Sequence, residues 1–349
     1  MLSDAVIEQI LTRAPTLRIG VLGDLFLDRY LEIDACLTEP SLETGLDAYQ
    51  VVAVRSQPGA AGTVINTLAA LGVGRIDPIA VIGDDGEGYE LRQALAAMKI
   101  INLEAVFPWH GRRTPTYTKP MLHEKGETPR ELNRLDIKNR LPLPSAAEDH
   151  VLYHLESLWP HLDALLVLDQ VSEPECGVIT TRIRRRLADL GSATPARFVL
   201  ADSRERIGLF QEVSTKPNER ELLRALGETS ALTTERLAFH IRSLMRRTSG
   251  HVFCTRGASG IRLAMRSPHD TADLVDVPAF PVTGAIDVVG AGDSTSAAIA
   301  VAVAAGAKLE DAAAFGNLVA SITIQQIGTT GTASPEQVRQ RWREVQNTS

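Results

Sequence analysis

A glycine turn, Gly290-Ala291-Gly292-Asp293, runs straight into Ser294 to Gly306, a segment of small and apolar residues with no charge. That pairing constrains this chain more than any other feature. A helix apolar on every side must be buried, and Gly306 supplies its stop. Its N-terminus leaves backbone N–H groups unpaired and carries the positive end of the helix dipole, which suits an anion, phosphate above all. Gly290 and Gly292 let a ligand approach the backbone closely. Asp293 opposes an anion, and one resolution is that it takes a proton from a nucleophile. The preceding amides would then hold the charge on a transferring phosphoryl group. A plain turn with Asp as a helix cap accounts for the same residues equally well.

Around this turn, compact apolar runs alternate with helical segments from residue 17 to 325. Leu17 to Gly23, Arg75 to Gly83, Asp163 to Asp169, Arg197 to Ala201 and His251 to Thr255 read as buried strands. Residues 4 to 13, 88 to 98, 145 to 159 and 309 to 325 read as helices, with a polar helical tail. This alternation predicts one α/β unit over residues 1–349, a doubly wound, mostly parallel sheet covered on both faces. The 44% hydrophobic content supports a large core, and a net charge of −7 argues against a nucleic-acid partner. Cys36, Cys176 and Cys254 are far apart, which fits a reducing cytoplasm. No apolar run is long enough to cross a membrane. His150 and His154 have metal-ligand spacing but no third ligand nearby, and Arg182 to Arg186 reads as a solvated helix face.

In an open sheet of this kind, ligands bind beyond the carboxyl ends of the strands. Asp24 and Asp28 follow the first strand, and Lys216-Pro217-Asn218-Glu219-Arg220-Glu221 opens a helix. Asn218 and Glu221 share one helical face, where a carboxylate ordinarily serves as a cap.

Asp287 to Asp293 resembles the second signature of the ribokinase-like, or PfkB, family of carbohydrate kinases. That resemblance implies Asp293 as catalytic base, with Gly290, Ala291 and Gly292 as the anion hole. Other segments follow in family order. Gly23 to Tyr30, GDLFLDRY, is similar to the start of the heptose-phosphate kinases and implies that Asp28, and less directly Asp24, contact the sugar. Pro58 to Asn66 resembles the first signature, which brings Gly59, Thr63 and Asn66 to the sugar; Ala60 stands where a second Gly is usual, and Thr63 where Asn is usual. Residues 29–57 and 112–136 match a small β lid that often also forms a dimer contact. Asn218 and Glu221 match NxxE, implying phosphate contact and a water-held Mg²⁺. Thr255 and Gly257 match a nucleotide loop, Asn317 falls near the adenine, and Gln326 to Thr332 closes the site. Thr114 to Lys119 and Asn133 to Asp136 also match the heptose-7-phosphate kinase branch. There Arg112, Arg113, Lys119 and Arg134 could meet a phosphate already on the sugar. The loop after Asp169, Gln170 to Pro174, departs from the family's usual Tyr-Gly-Lys-Gly form.

The resemblance therefore implies ATP-dependent phosphorylation of a sugar or sugar phosphate. Mg²⁺, room for a monovalent cation such as K⁺, and a homodimer come with it. Signatures of P-loop kinases, Rossmann dehydrogenases, α/β-hydrolases and zincins are missing. A kinase for another sugar or a nucleoside, and a non-catalytic binder that keeps the fold, stay open.

Overall fold

The computed structural model describes residues 2–228, 233–266, 272–328 and 330–348. Its centre is a nine-stranded sheet. From one edge the order is Ala272–Val277, Ile261–Arg266, Val252–Thr255, Ser214–Thr215, Phe198–Ser203, Ala164–Asp169, Arg18–Gly23, Arg75–Gly83 and Val106–Trp109. Neighbours are parallel from Val252–Thr255 to Val106–Trp109. The two pairings at the first edge are antiparallel, so Ile261–Arg266 alone runs against the other strands. The expected α/β architecture is found.

Strand alternation explains the layering. In Ala164–Asp169, Ala164, Leu166 and Leu168 face one core, built with the helices Asp4–Arg13, Ala61–Ala70, Ala291–Ala304 and Leu309–Thr323. Leu165 and Val167 face the other, built with Ser145–Leu158 and Thr181–Ala193. Successive side chains of a strand point to opposite faces, so each strand needs helices on both sides.

The chain leaves Arg18–Gly23 to build Arg75–Gly83 and Val106–Trp109 on one side. It then returns to build Ala164–Asp169 and the remaining strands on the other. The order reverses between Arg18–Gly23 and Ala164–Asp169, and the carboxyl ends of that pair open the crevice where such folds bind ligands.

A second sheet stands over this edge. Leu25–Asp34 pairs antiparallel with Val51–Ala60 and parallel with Thr116–His123, which pairs with Arg130–Glu131 and Leu135–Ile137. Residues 25–34 are thus a strand rather than the loop end expected after Gly23. Their burial alternates irregularly, because one sheet face is only partly covered. Ile261–Arg266, Ala272–Val277 and Val106–Trp109 were not anticipated; all three lie at or next to sheet edges, where an apolar run is not required. Among the described residues no helix is long and apolar enough to cross a membrane.

Ala60, where the second sheet hands over to Ala61–Ala70, has φ 53° and ψ −117°. A Cβ makes that backbone costly, by about 1–3 kcal/mol. Glycine removes the strain but adds about 0.5–1 kcal/mol of chain entropy to the unfolded state. Ala60→Gly should therefore raise the urea unfolding midpoint, with a net gain on the order of 1 kcal/mol. A midpoint at or below wild type would show that the surroundings favour the alanine.

Candidate active site

Gly290 has φ +79° and caps the helix Ala291–Ala304. Asp287 fixes the turn before it. Its Oδ1 accepts the Val289 N–H at 3.0 Å and its Oδ2 the Gly328 N–H at 3.3 Å, while its own N–H donates to Ile324 O. The turn is thereby tied to the segment after Leu309–Thr323. The Ala291 N–H is spent on Val288 O at 3.2 Å. The first-turn donors with no partner inside the helix are therefore those of Gly292 and Asp293. Of the three amides expected to hold an anion, that of Ala291 is thus already engaged in closing the turn.

Asp293 reaches solvent only in part. Burial, followed by the nearby Asp202 charge, raises its carboxyl to about 7, although Lys216 and Arg204 pull the other way. Lys216, 3% exposed, holds Asp202 Oδ2 at 3.0 Å. Its ammonium lies 3.5 Å from where a Gly292 Cβ would stand. Burial acts to lower the Lys216 pKa, but Asp202, Glu221 and Asp293 outweigh it and the net shift is upward. A buried, charged ammonium therefore sits beside the anion turn.

Asn218 and Glu221 form a reciprocal capping box on Glu219–Leu226. The Glu221 N–H donates to Asn218 Oδ1 at 2.9 Å, and the Asn218 N–H to Glu221 Oε2 at 2.8 Å. The cap that local spacing suggests is present. Burial and Asp202 still raise the Glu221 carboxyl, so it belongs electrostatically to the same cluster.

Thr255, Gly257 and Asn317 join Ala291 and Gly292 around a cavity of about 530 Å³, walled elsewhere mainly by apolar residues such as Phe280, Ile286 and Ile324. Its size is within the range of small-molecule sites. Gly260 makes the loop possible: a Cβ there would fall 2.2 Å from Val277 O at φ +79°. The Asn317 amide donates to Val277 O and Pro278 O at 3.0 and 2.9 Å, so it pins one wall of the cavity. In the segment 326–332 expected to close the site, Thr329 lies outside the described residues.

On the other side of the turn, Thr63 Cγ2 lies 3.5 Å from a Gly290 Cβ position. Asp28 packs against Gly59, whose Cβ would meet Asp28 Cγ at 2.8 Å. Lys119 Nζ stands 3.7 Å from Asp28 Oδ2 and 3.1 Å from the Tyr30 hydroxyl. Burial raises the Asp28 carboxyl, against Lys119 and Arg134. Asn66 reaches back to Pro58 O at 3.5 Å.

Asp24 sits deeper. It accepts N–H groups from Gln170, Val171 and Val178 at 2.9, 3.2 and 2.7 Å, so both oxygens hold the loop after Ala164–Asp169 in place. Of the basic residues near the second sheet, Arg112 binds Cys176 O, Arg113 pairs with Asp85 and Glu87, and Arg134 pairs with Asp136 over the Tyr117 ring. His150 and His154 pack against Phe107, as ordinary helix residues do.

Lys216, Asp202 and Arg204 were not singled out from sequence. Their signal was position, since each lies at the carboxyl end of a central strand, where an open sheet gathers its ligands.

Fold and site together define a doubly wound α/β protein with a glycine turn beside a cavity of small-molecule size. Residues 210–337 match the model described as pfkB family carbohydrate kinase. The match spans Lys216, Asp293 and Asn317. "Bifunctional protein HldE" of Pelobacter propionicus is 30% identical over 342 residues, which is 95% of this chain and 64% of that protein. The chain thus spans less than two thirds of that curated relative. Arabidopsis thaliana ribokinase, solved with ribose and ATP, superposes with a TM-score of 0.66 at 17% identity, covering 93% of this chain and 98% of that one. Escherichia coli phosphofructokinase-2, solved with potassium, gives 0.69 at 17% identity, covering 95% and 99%. At such identity the likeness is one of fold.

Proposed function

We propose that this chain transfers the γ-phosphate of ATP to a hydroxyl of a sugar or sugar phosphate. The heptose 7-phosphate suggested by GDLFLDRY, TPTYTK and NRLD is the first acceptor to try. The observation that carries this reading is the position of Asp293. It stands at the start of a buried helix, beside the cavity of Thr255, Gly257 and Asn317 and near enough to Asp28 to feel its charge, with a carboxyl raised to about 7. A base works best with a pKa near the operating pH.

In this reading Asp293 accepts the proton of the attacking hydroxyl at its carboxylate. The Gly292 and Asp293 N–H groups and the Lys216 ammonium stabilise the transferring phosphoryl. Asp28 accepts hydrogen bonds from acceptor hydroxyls, and the second sheet covers them as a lid. Among the described residues no group of three or more His, Cys, Asp or Glu is arranged to hold a metal. Lys216 offsets part of the charge of the Asp202, Glu221 and Asp293 carboxylates. The residues therefore fit a Mg²⁺ that arrives on the triphosphate with most of its water, with Glu221 ordering part of that shell. When bound, Mg²⁺ screens the phosphate charge. A monovalent cation such as K⁺ belongs to the same reading.

The test is ATP consumption, with and without Mg²⁺, against a panel of sugars, sugar phosphates and nucleosides. Acceptor-dependent turnover with any sugar or sugar phosphate supports the reading. Nucleotide binding without turnover on any acceptor would leave a non-catalytic binder.

Asp28→Ala tests the acceptor end. Ionised, Asp28 offers only acceptors, which suits paired hydroxyls. Losing charge-assisted bonds worth about 1.5–3 kcal/mol should weaken the acceptor by roughly tenfold to a hundredfold and leave ATP affinity unchanged. Equal weakening of both ligands in titration calorimetry would make Asp28 a structural residue.

A homodimer follows from the second sheet. Val51–Ala60 is its edge strand, with Val51, Val52 and Val54 exposed at 44%, 57% and 58%. An exposed apolar edge is an open pairing surface. Light scattering should give a dimer mass that falls to the monomer in Val52→Lys/Val54→Lys. A wild-type monomer at micromolar concentration would exclude pairing through this edge.

A further inference from the structure

Every group used so far lies at the carboxyl ends of the sheet strands. The opposite ends of Phe198–Ser203, Ser214–Thr215 and Val252–Thr255 border a second cavity, of about 470 Å³. Nothing in the phosphotransfer reading uses it.

Its chemistry differs from that of the nucleotide cavity. Three cationic residues, Arg197, Arg266 and Lys308, line it against one acidic residue, Glu212, on a chain whose net charge is −7. Arg197 is held by the carbonyls of Trp159 and Leu162, both through Nη1, and its guanidinium stands 5.3 Å from the Trp159 ring centroid. Arg266 uses Nη1 for Ser249 O at 2.7 Å and Glu212 Oε2 at 3.3 Å. A guanidinium carries five donors, so each Arg keeps an Nη2 group beyond these bonds. His251 Nδ1 accepts the Arg266 N–H at 3.0 Å, which places the ring hydrogen on Nε2 as a neutral donor. Burial and the adjacent Arg266 hold its pKa down, in keeping with that neutral form. Lys308 precedes the helix Leu309–Thr323, whose first turn has no side-chain cap from that residue. Glu212 and Ser249, two of the non-glycine residues with left-handed backbone, also line the cavity.

We propose that this cavity binds a small oxyanion, the phosphate or carboxylate group of a compact metabolite, at a site separate from those of nucleotide and acceptor. The arginines are fixed before any ligand arrives, so little side-chain entropy is lost on binding. Planar guanidinium forks match phosphate and carboxylate oxygens alike. The three strands that start here end at Asp202, Lys216 and Thr255, which gives an occupant a short physical route to the nucleotide end.

Titration calorimetry with the full chain, saturated with a non-hydrolysable ATP analogue to block the first cavity, tests this. Inorganic phosphate and citrate are the two probes, one for each oxyanion class. The expected result is saturable binding of at least one of them, about one per chain, with a dissociation constant of roughly millimolar or below. Arg266→Gln/Lys308→Gln, at two surface side chains, should weaken that binding about tenfold or more. Should the double variant fold poorly, Lys308→Glu alone should weaken it in the same direction. No saturable binding of either probe would overturn the proposal. So would binding that the variants leave unchanged, or binding that the ATP analogue displaces.

Discussion

Asp293→Asn should lower turnover by about a hundredfold or more, the usual scale for a positioned base. ATP affinity should change little, because the Gly292 and residue-293 amides and Lys216 remain. The same variant should also change the pH profile. The base acts ionised, and the Asp293 carboxyl titrates at about 7. Wild-type turnover should therefore rise with pH through about 7 and level off above it, and the rise should vanish in the variant. Stability should move the other way. A carboxyl whose pKa is raised on folding binds its proton more tightly in the folded state. Wild type therefore loses stability as pH climbs from the unfolded value of 3.8 towards 7. Asn escapes that loss, so the variant should melt higher than wild type above neutrality, as a trade of function for stability. Near wild-type turnover with an unchanged pH limb would remove Asp293 from the chemistry.

Lys216→Met should have the largest effect on stability. Lys216 is 3% exposed and its Nζ holds Asp202 at 3.0 Å, with Glu221 and Asp293 close enough to raise its pKa. Removing it leaves Asp202 buried and unpaired, which costs on the order of 3–5 kcal/mol. Lys216→Met/Asp202→Leu removes both charges and should recover much of that loss. Activity should separate the two roles of the lysine. If Lys216 stabilises the transferring phosphoryl, the double variant folds well yet turns over at least tenfold more slowly, the effect of a lost charge-assisted contact. Wild-type turnover in the stable double variant would make the pair structural only. Denaturant midpoints and steady-state ATP kinetics decide both points.

The sequence by itself determined the architecture. Strands buried on both faces must be apolar almost throughout, so Arg18–Gly23, Arg75–Gly83 and Ala164–Asp169 were legible within a residue or so. The charge-free segment after Asp293 left a buried helix as its fate, and the glycines before it fixed the turn that opens it. Glycine turns and apolar periods are local patterns, and local patterns survive without a tertiary context. Edge strands such as Val106–Trp109 carry no such requirement, and Leu25–Asp34 is half covered, so neither showed in the pattern. Arg184 made the limit plain. It sits in a basic run that reads as solvated, yet it is 7% exposed and donates to Ile179 O. Burial of one residue in a charged run depends on what the helix packs against.

The tertiary structure alone decided how the polar groups pair. Asp24 and Asp28, four residues apart in sequence, divide between holding a loop by three amides and facing the Lys119 ammonium. Lys216 and Asp202 meet from different strands, and their attraction survives because both are buried together. The pKa of Asp293 follows from that meeting. Burial raises a carboxyl only where the fold withdraws water, and the Asp202 and Lys216 charges act at distances that only the assembled sheet sets.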